Sequence, residues 1–559
     1  MNISLGKYQT AVEKSINHIS RERIIPRIWQ KDHTVWRNDP TEISNRLGWL
    51  DCVEVTKKSF IEIKSFVDEV RKDGFTDALL MGMGGSSLAP EVFRLTLGVK
   101  KGYLDLHVLD STHPEAILEY EKKLNPEKTL YIVSTKSGGT VETMSFMKYC
   151  FTIVSRKLGR EEATKHFMAI TDPGSGLEET AKKLNFRKIF LNDPNIGGRF
   201  SALSLFGIVP AALIGVDLNK LFDEASKMIT EFNRQEVSDN NGAKLGAAIG
   251  TLAKEGVDKL TLLISPQLKY LGGWLEQLIA ESTGKDGKGI LPVDLEPTIP
   301  VSEYGKDRVF CYIKTSVDNT FDEKVSEIKS AGFPVVEIEL ENIYQLGAEF
   351  FRWEFATAIA GFVMDVQPFD QPNVESAKIA ARAMMKEYQL KGELPELKPA
   401  LESEGIKVFG DIKAGNLNET IASFLSKCEK GKSYIAIQAF LKPDEKTWQQ
   451  LQLLRLRILQ NYKVATSLGY GPRFLHSTGQ LHKGDSGNGF FIQLVSDYSV
   501  DVGIPDNPGE DKSSNSFGTL IKAQSLGDRQ ALVENQRAIL RIELADSQIE
   551  KIVSLIDFI

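Results

Sequence analysis

Five short apolar runs, at 77–83, 104–109, 129–134, 166–171 and 188–191, are separated by stretches with helical spacing. Each run is too short for a helix, and strands alternating with helices imply a parallel, doubly wound α/β sheet. Helical spacing appears at Phe60, Ile63, Phe66 and Val70, near 90–97 and over 141–158. A second α/β stretch begins near Gly242, with a helix over 243–254, strands at 259–264, 308–313 and 334–340, and a helix over 346–363. The two stretches look like one architecture used twice, without a clear sequence repeat. A polar, Pro-rich linker at 392–399 precedes a third stretch, with strands at 434–441, 490–495 and 541–544 and a helix opened by Pro443 that runs through Tyr462. The expected organisation is a helical segment over 1–50, α/β domains at 51–235 and 236–391, and a C-terminal α/β domain at 400–559, within the range that 559 residues allow. The N-terminal segment, with Trp29, Trp36 and Trp49, is expected to form helices over the domain that follows, its Arg-rich run at 21–27 a solvated face. The stretch 503–515 reads as an exposed loop.

Composition excludes several classes of partner. A net charge of -7 argues against a general nucleic-acid surface. No run of about 18 apolar residues is present, so no membrane span is expected. The first ten residues lack a basic stretch followed by an apolar core, so no secretory leader is expected. Cys52, Cys150, Cys311 and Cys428 have neither metal-ligand nor redox spacing and read as reduced thiols in a cytoplasmic protein.

Sheets of this kind bind ligands at the carboxyl ends of their strands. Two loops there suit an anion: Gly84-Gly85-Ser86-Ser87, and Ser134-Thr135-Lys136-Ser137-Gly138-Gly139-Thr140. Glycines let the backbone approach, and the following helix offers free N–H groups and the positive end of its dipole. Neither loop is a Walker A or a dinucleotide Gly-x-Gly-x-x-Gly motif. Ser and Gly also merely cap helices, but two such loops in one sheet favour a phosphate cradle. In Gly197-Gly198-Arg199-Phe200-Ser201, two glycines precede an arginine that could hold an anion or a developing enediolate. In Glu281-Ser282-Thr283-Gly284-Lys285, a carboxylate ends an amphipathic helix at a Gly-bearing turn. Such a Glu is either solvated or a general base held on a rigid element. Arg473-Phe474-Leu475-His476-Ser477-Thr478-Gly479-Gln480-Leu481-His482-Lys483-Gly484 crowds polar groups around glycines, with no carboxylate or Cys close enough in sequence to complete a metal set.

These motifs together resemble the glucose-6-phosphate isomerase family. Gly197 to Ser201 resembles its first signature, and Phe369-Asp370-Gln371-Pro372-Asn373-Val374-Glu375-Ser376-Ala377-Lys378 its second, with Asn373 where Gly or Ala is usual. Glu281 to Lys285 is similar to its Glu-Ser-Asn-Gly-Lys base motif, and Ser134 to Thr143 to its sugar-phosphate loop. The C-terminal stretch resembles the isomerase half of bifunctional transaldolase/glucose-6-phosphate isomerases, with no room left for a transaldolase barrel of about 250 residues.

The resemblance implies two sugar-isomerase (SIS) domains plus a third α/β domain. It implies reversible aldose–ketose isomerisation of glucose 6-phosphate and fructose 6-phosphate, without metal or organic cofactor, in a monomer or homodimer. In the roles it implies, Glu281 moves a proton between C2 and C1, and Arg199 stabilises the cis-enediolate. Gly85, Ser86, Thr135, Lys136, Ser137, Thr140 and Gly198 bind the sugar phosphate. Gln371 lines the sugar site, and Lys378 assists ring opening. The family's ring-opening histidine should follow Glu281 by about thirty residues, yet no His lies between His166 and His476. His476, or else His482, is therefore the expected substitute, with Lys378 and water as the remaining option. A non-catalytic SIS-type regulator would be expected to lack Glu281 or Arg199, and both are present. Acceptance of mannose 6-phosphate stays open.

Overall fold

The five apolar runs of the first stretch pair side by side, all parallel, in the order Asp105–Leu109, Asp77–Met81, Thr129–Ser134, Phe167–Thr171 and Lys188–Leu191. The computed structural model describes residues 1–545, apart from 235, 404 and 412–414. The last part of the expected C-terminal domain, 546–559, lies outside the described residues. All six residues of Thr129–Ser134 are buried, because helices cover both faces of the sheet. The strand order reverses at Asp77–Met81, between its neighbours Asp105–Leu109 and Thr129–Ser134. This is the topological switch point, and the two Gly/Ser loops leave the strands there.

The second sheet has the order Asn2–Ser4, Val335–Leu340, Arg308–Thr315, Lys259–Ile264 and Leu291–Val293. Its last four strands are parallel, whereas Asn2–Ser4 adds antiparallel at the edge. The N-terminal segment therefore reaches the second sheet and does not simply cover the domain that follows it. Trp29 stacks on Phe351 and Trp36 Nε1 donates to Ala358 O at 2.9 Å, both on the buried helix Leu346–Met364. In the run at 21–27, Ile24 and Ile25 are buried while Arg21 stays exposed. One apolar core continues from these helices through Leu80 and Ile132 of the first sheet to Leu262 and Val336 of the second.

The third sheet runs Leu401–Ser403, Ile406–Phe409, Ala538–Leu544, Gly489–Ser496, Tyr434–Phe440 and Ala465–Tyr470. Its last four strands are parallel and its first two antiparallel. Tyr434, Ala436 and Phe491 pack against Leu291, Val293 and Ala280, so this sheet rests on the edge of the second and on the helix that carries Glu281. The stretch 503–515 is more ordered than an exposed loop. Its ends, Gly503–Ile504 and Asn515–Ser516, pair antiparallel, and Ile504 is buried beside the first sheet.

Candidate active site

Glu281 lies in the last turn of the helix Leu271–Thr283, which is buried along most of its length and holds the side chain rigidly. Gln277, one turn earlier, donates to Glu281 Oε2 at 3.0 Å. Arg199 Nη1 stands 3.4 Å from Glu281 Oε1, with the two side chains 3 % and 12 % exposed. The same guanidinium donates to Ser282 Oγ at 2.7 Å, Gln371 Oε1 at 3.0 Å, Pro368 O at 2.6 Å and Asp370 O at 2.9 Å. It thus clasps the segment 368–371 to the Glu281 helix. Burial lowers the pKa of Arg199, and the Glu281 charge opposes that shift. Lys285 is also buried; desolvation and the charge of Arg199 bring it down to about 8, although it donates to Asp370 Oδ1 at 2.7 Å.

Gly284 ends this helix, but not through a left-handed turn: its φ is -79°. Glycine is required because the helix Gly479–Gly484 approaches so closely that a Cβ would lie 2.4 Å from Leu481 Cα. Asn373, the departure from the second signature, has a partner in that helix. Its N–H donates to Gln480 Oε1 at 2.8 Å, and its Oδ1 accepts from Gln480 Nε2 at 2.6 Å.

The loop glycines have similar reasons. A Cβ on Gly85 would lie 1.9 Å from Gly198 O, so the first loop and the arginine motif are in backbone contact. A Cβ on Gly84 would meet Gln277 Nε2 at 2.7 Å and His476 O at 2.9 Å, which brings the Glu281 cluster against the C-terminal loop. Ser86 is half-buried.

A cavity of about 740 Å³ is lined among others by Ser137, Thr140, Lys378 and His476; Glu281 and Arg199 do not line it, and it meets their cluster through His476, whose carbonyl lies with Gln277 beside Gly84. Thr140 makes no capping hydrogen bond to the helix Val141–Leu158, which leaves its first N–H groups free for an anion. The hydroxyls of Thr135 and Thr140 are 3.0 Å apart, and Ser137 Oγ accepts from Gly139 N–H at 3.1 Å. Lys378 and Lys386, both on the helix Val374–Lys391, line the same cavity without ion-pair partners among the described residues. Lys136 is different. Its ammonium is turned to Asp172 and to Pro194 O at 2.7 Å, and it does not line the cavity.

His476 Nε2 donates to Glu142 Oε1 at 3.0 Å, and the same oxygen accepts from Gln524 Nε2 at 2.7 Å. Thr112 Oγ1 in turn donates to Gln524 Oε1 at 2.9 Å. Burial alone would raise the Glu142 carboxyl, but the charge and hydrogen bond of His476 outweigh it and the net shift is downward. With Nε2–H engaged, Nδ1 is the acceptor of the neutral ring. His482 does not share this place; it lines a different cavity.

Sequence reasoning thus missed Glu142, Gln277 and Gln524. Glu142 reads locally as an ordinary acid in a first helical turn, and Gln524 lies 382 residues from it. Only Gln277 had a local signal, its i,i+4 spacing to Glu281 on one helix.

Comparison with known proteins agrees with this geometry. Residues 33–291 match the family model described as phosphoglucose isomerase. Glucose-6-phosphate isomerase of Carboxydothermus hydrogenoformans is 28% identical over 397 residues, covering 61% of this chain and 85% of that protein. The Listeria monocytogenes enzyme of the same name is 26% identical over 414 residues, covering 64% and 90%. In structure, a glucose-6-phosphate isomerase from Chlamydia trachomatis superposes with a TM-score of 0.57 at 17% identity, over 69% of this chain and 87% of that one, a likeness of fold. The Gly-Gly-Arg and Glu281 motifs both lie inside the span that matches the phosphoglucose isomerase family model.

Proposed function

We propose that this protein is a glucose-6-phosphate isomerase that works by proton transfer through a cis-enediolate. The observation that carries the reading is the Glu281–Arg199 pair beside a cavity that ends on free helix N–H groups and unpaired lysines. Phosphate sits at Ser137, Thr140 and the start of the helix Val141–Leu158, where N–H groups and hydroxyls suit its charge. Ser86 and Gln371 flank the sugar. In ring opening, the C1–O5 bond breaks, His476 Nδ1 takes the O1 proton and Lys378 gives one to O5. Glu142 holds the imidazole in the tautomer this needs. Glu281 then removes the C2 proton. Charge develops on O1, where Arg199 stabilises it; the O2 hydroxyl proton then passes to O1 as Glu281 returns its proton at C1, which leaves O2 as the ketone oxygen. The phosphate contacts position the reacting carbons, so remote binding energy serves the proton transfer.

Glu281, Arg199, Lys378 and His476 all come from one chain, so a monomer holds the whole arrangement; a homodimer is the other state we consider. The reading places the enzyme in the cytoplasm, and four free thiols fit a reducing compartment. No helix of the described residues is long and apolar enough to cross a membrane.

The experiment is Glu281→Gln assayed with fructose 6-phosphate. Turnover should fall by about 10²-fold or more, the scale of general-base loss. Exchange of the C2 proton in D2O should vanish while the sugar phosphate still binds. Exchange at the wild-type rate would overturn the assignment.

A further inference from the structure

A second cavity, of about 680 Å³, lies against another face of the Glu281 helix and is roofed by the third sheet. Glu276 and Asp294 project into it. Burial raises both carboxyls, Glu276 well above its usual range and Asp294 to about 7, and the charge of Asp294 adds to the rise at Glu276. Among the described residues, no Lys or Arg forms an ion pair with either. The two nearby arginines are committed elsewhere, Arg473 to Glu91 and to Asp110 at 3.0 Å, and Arg455 to Thr466 Oγ1 at 2.9 Å, while Lys269 lines the cavity as an exposed side chain set over the Tyr270 ring. Opposite charges normally accompany buried carboxylates; here Arg455 acts on both and Arg473 on Glu276 only through space, and neither outweighs the burial.

A second group in the same wall also lacks a partner. His482, 2 % exposed, lines the cavity, and its Nε2 has no hydrogen-bond partner. Its Nδ1 accepts from Gln438 Nε2 at 3.4 Å, so the neutral ring carries its proton on the unpartnered Nε2. Trp448 and Tyr470, stacked at 6.3 Å, add an aromatic wall. The cavity therefore offers carboxyls that want a cationic donor, a buried N–H that wants an oxygen, and flat apolar surface. The excess of acid disfavours phosphate esters.

We propose that this cavity is a second ligand site, which takes an unphosphorylated hydroxylated amine: the ammonium between Glu276 and Asp294, a hydroxyl on His482 Nε2, and the carbon skeleton on Trp448. The site borders the catalytic one through a single segment. Arg473, Phe474, Ser477 and Thr478 line the second cavity, whereas Leu475 and His476 line the first. An occupant is thus felt at His476, and this effect on turnover rests on the isomerase reading above; the binding itself does not.

The test is titration calorimetry on the full chain with glucosamine, a cyclic amine, and 2-amino-1,3-propanediol, an acyclic one, with glucose as the neutral control. Saturable binding of at least one amine is expected, about tenfold or more tighter than glucose. It should persist in saturating glucose 6-phosphate. Asp294→Asn with Glu276→Gln should weaken the amine about tenfold or more while leaving amine-free turnover of fructose 6-phosphate within about twofold of wild type. No saturable binding of either amine at millimolar concentration overturns the proposal, as does binding equal to that of glucose, displacement by glucose 6-phosphate, or full affinity in a folded double variant. The wild-type arms need no variant. If the protein proved inactive on fructose 6-phosphate, the amine-versus-glucose comparison would still decide whether the site exists.

Discussion

Replacing Arg199 by Lys separates the structural role of this residue from its chemical one. The guanidinium, 3 % exposed, serves two backbone carbonyls, Ser282 Oγ and Gln371 Oε1, from three nitrogens that point in different directions. A lysine ammonium keeps the charge near Glu281 but radiates from one point and can reach about half of these acceptors. Hydrogen bonds to charged groups contribute about 1.5–3 kcal/mol each, so losing two costs about 3–6 kcal/mol. With a urea slope of about 1–3 kcal/mol per molar, the unfolding midpoint should fall by about 1 M or more. Tryptophan fluorescence follows this directly, because Trp49 packs on Phe200 next to Arg199. In the coupled assay, kcat should fall by about 10²-fold, the scale of losing a preorganised donor to a developing oxyanion. KM should change little, because that contact forms only in the transition state. Unfolding at the wild-type urea concentration would refute the clasp argument. Normal kcat in a folded but destabilised variant would refute the enediolate role.

Gly85→Ala places a Cβ 1.9 Å from Gly198 O and should cost about 1–3 kcal/mol and most activity, whereas Gly139→Ala, whose Cβ meets nothing closer than Ser137 Oγ at 3.4 Å, should melt and turn over like wild type. Lys285 supplies a pH signature. Its folded pKa of about 8 lies below the ordinary lysine value of 10.5, so between these values the unfolded chain holds the extra proton and stability gains with rising pH. Relative to Lys285→Met, the wild type should therefore gain about 3 kcal/mol from pH 8 to pH 10.5 in paired denaturation curves, at about 1.36 kcal/mol per pKa unit, and a flat difference would show that Lys285 is not held this way. Glu142→Gln leaves an amide beside His476 but removes the charge; turnover of cyclic fructose 6-phosphate should drop about tenfold or more while C2 exchange on the open-chain sugar is spared, and equal losses in both would separate Glu142 from ring opening.

The alternation of apolar runs with helical spacing was enough to determine a doubly wound sheet and to place two Gly/Ser loops at strand ends. Thr129–Ser134 and Lys259–Ile264 form over just the residues their composition marks, because a parallel strand buried on both faces writes a continuous apolar run into the chain. Asn2–Ser4 and Leu291–Val293 were illegible, since strands of three residues carry too few side chains for any period. Glu281 and Arg199 stood out from short motifs with local chemistry, and the structure brings the two side chains to 3.4 Å.

What tertiary structure alone decided is everything that depends on approach between distant segments. Gly284 looks like a turn glycine and is instead a contact glycine under Leu481. Asn373 looks like a departure from a signature and is a hydrogen-bond partner for Gln480. Lys136 has the right neighbours for a phosphate and points to Asp172. His476 and Gln524 meet on Glu142 from 334 and 382 residues away. The physical reason is common to all four. Periodicity and motif spacing report a residue's surroundings within a turn or a strand, whereas a long-range contact is set by how whole sheets pack and leaves no period in the sequence to read.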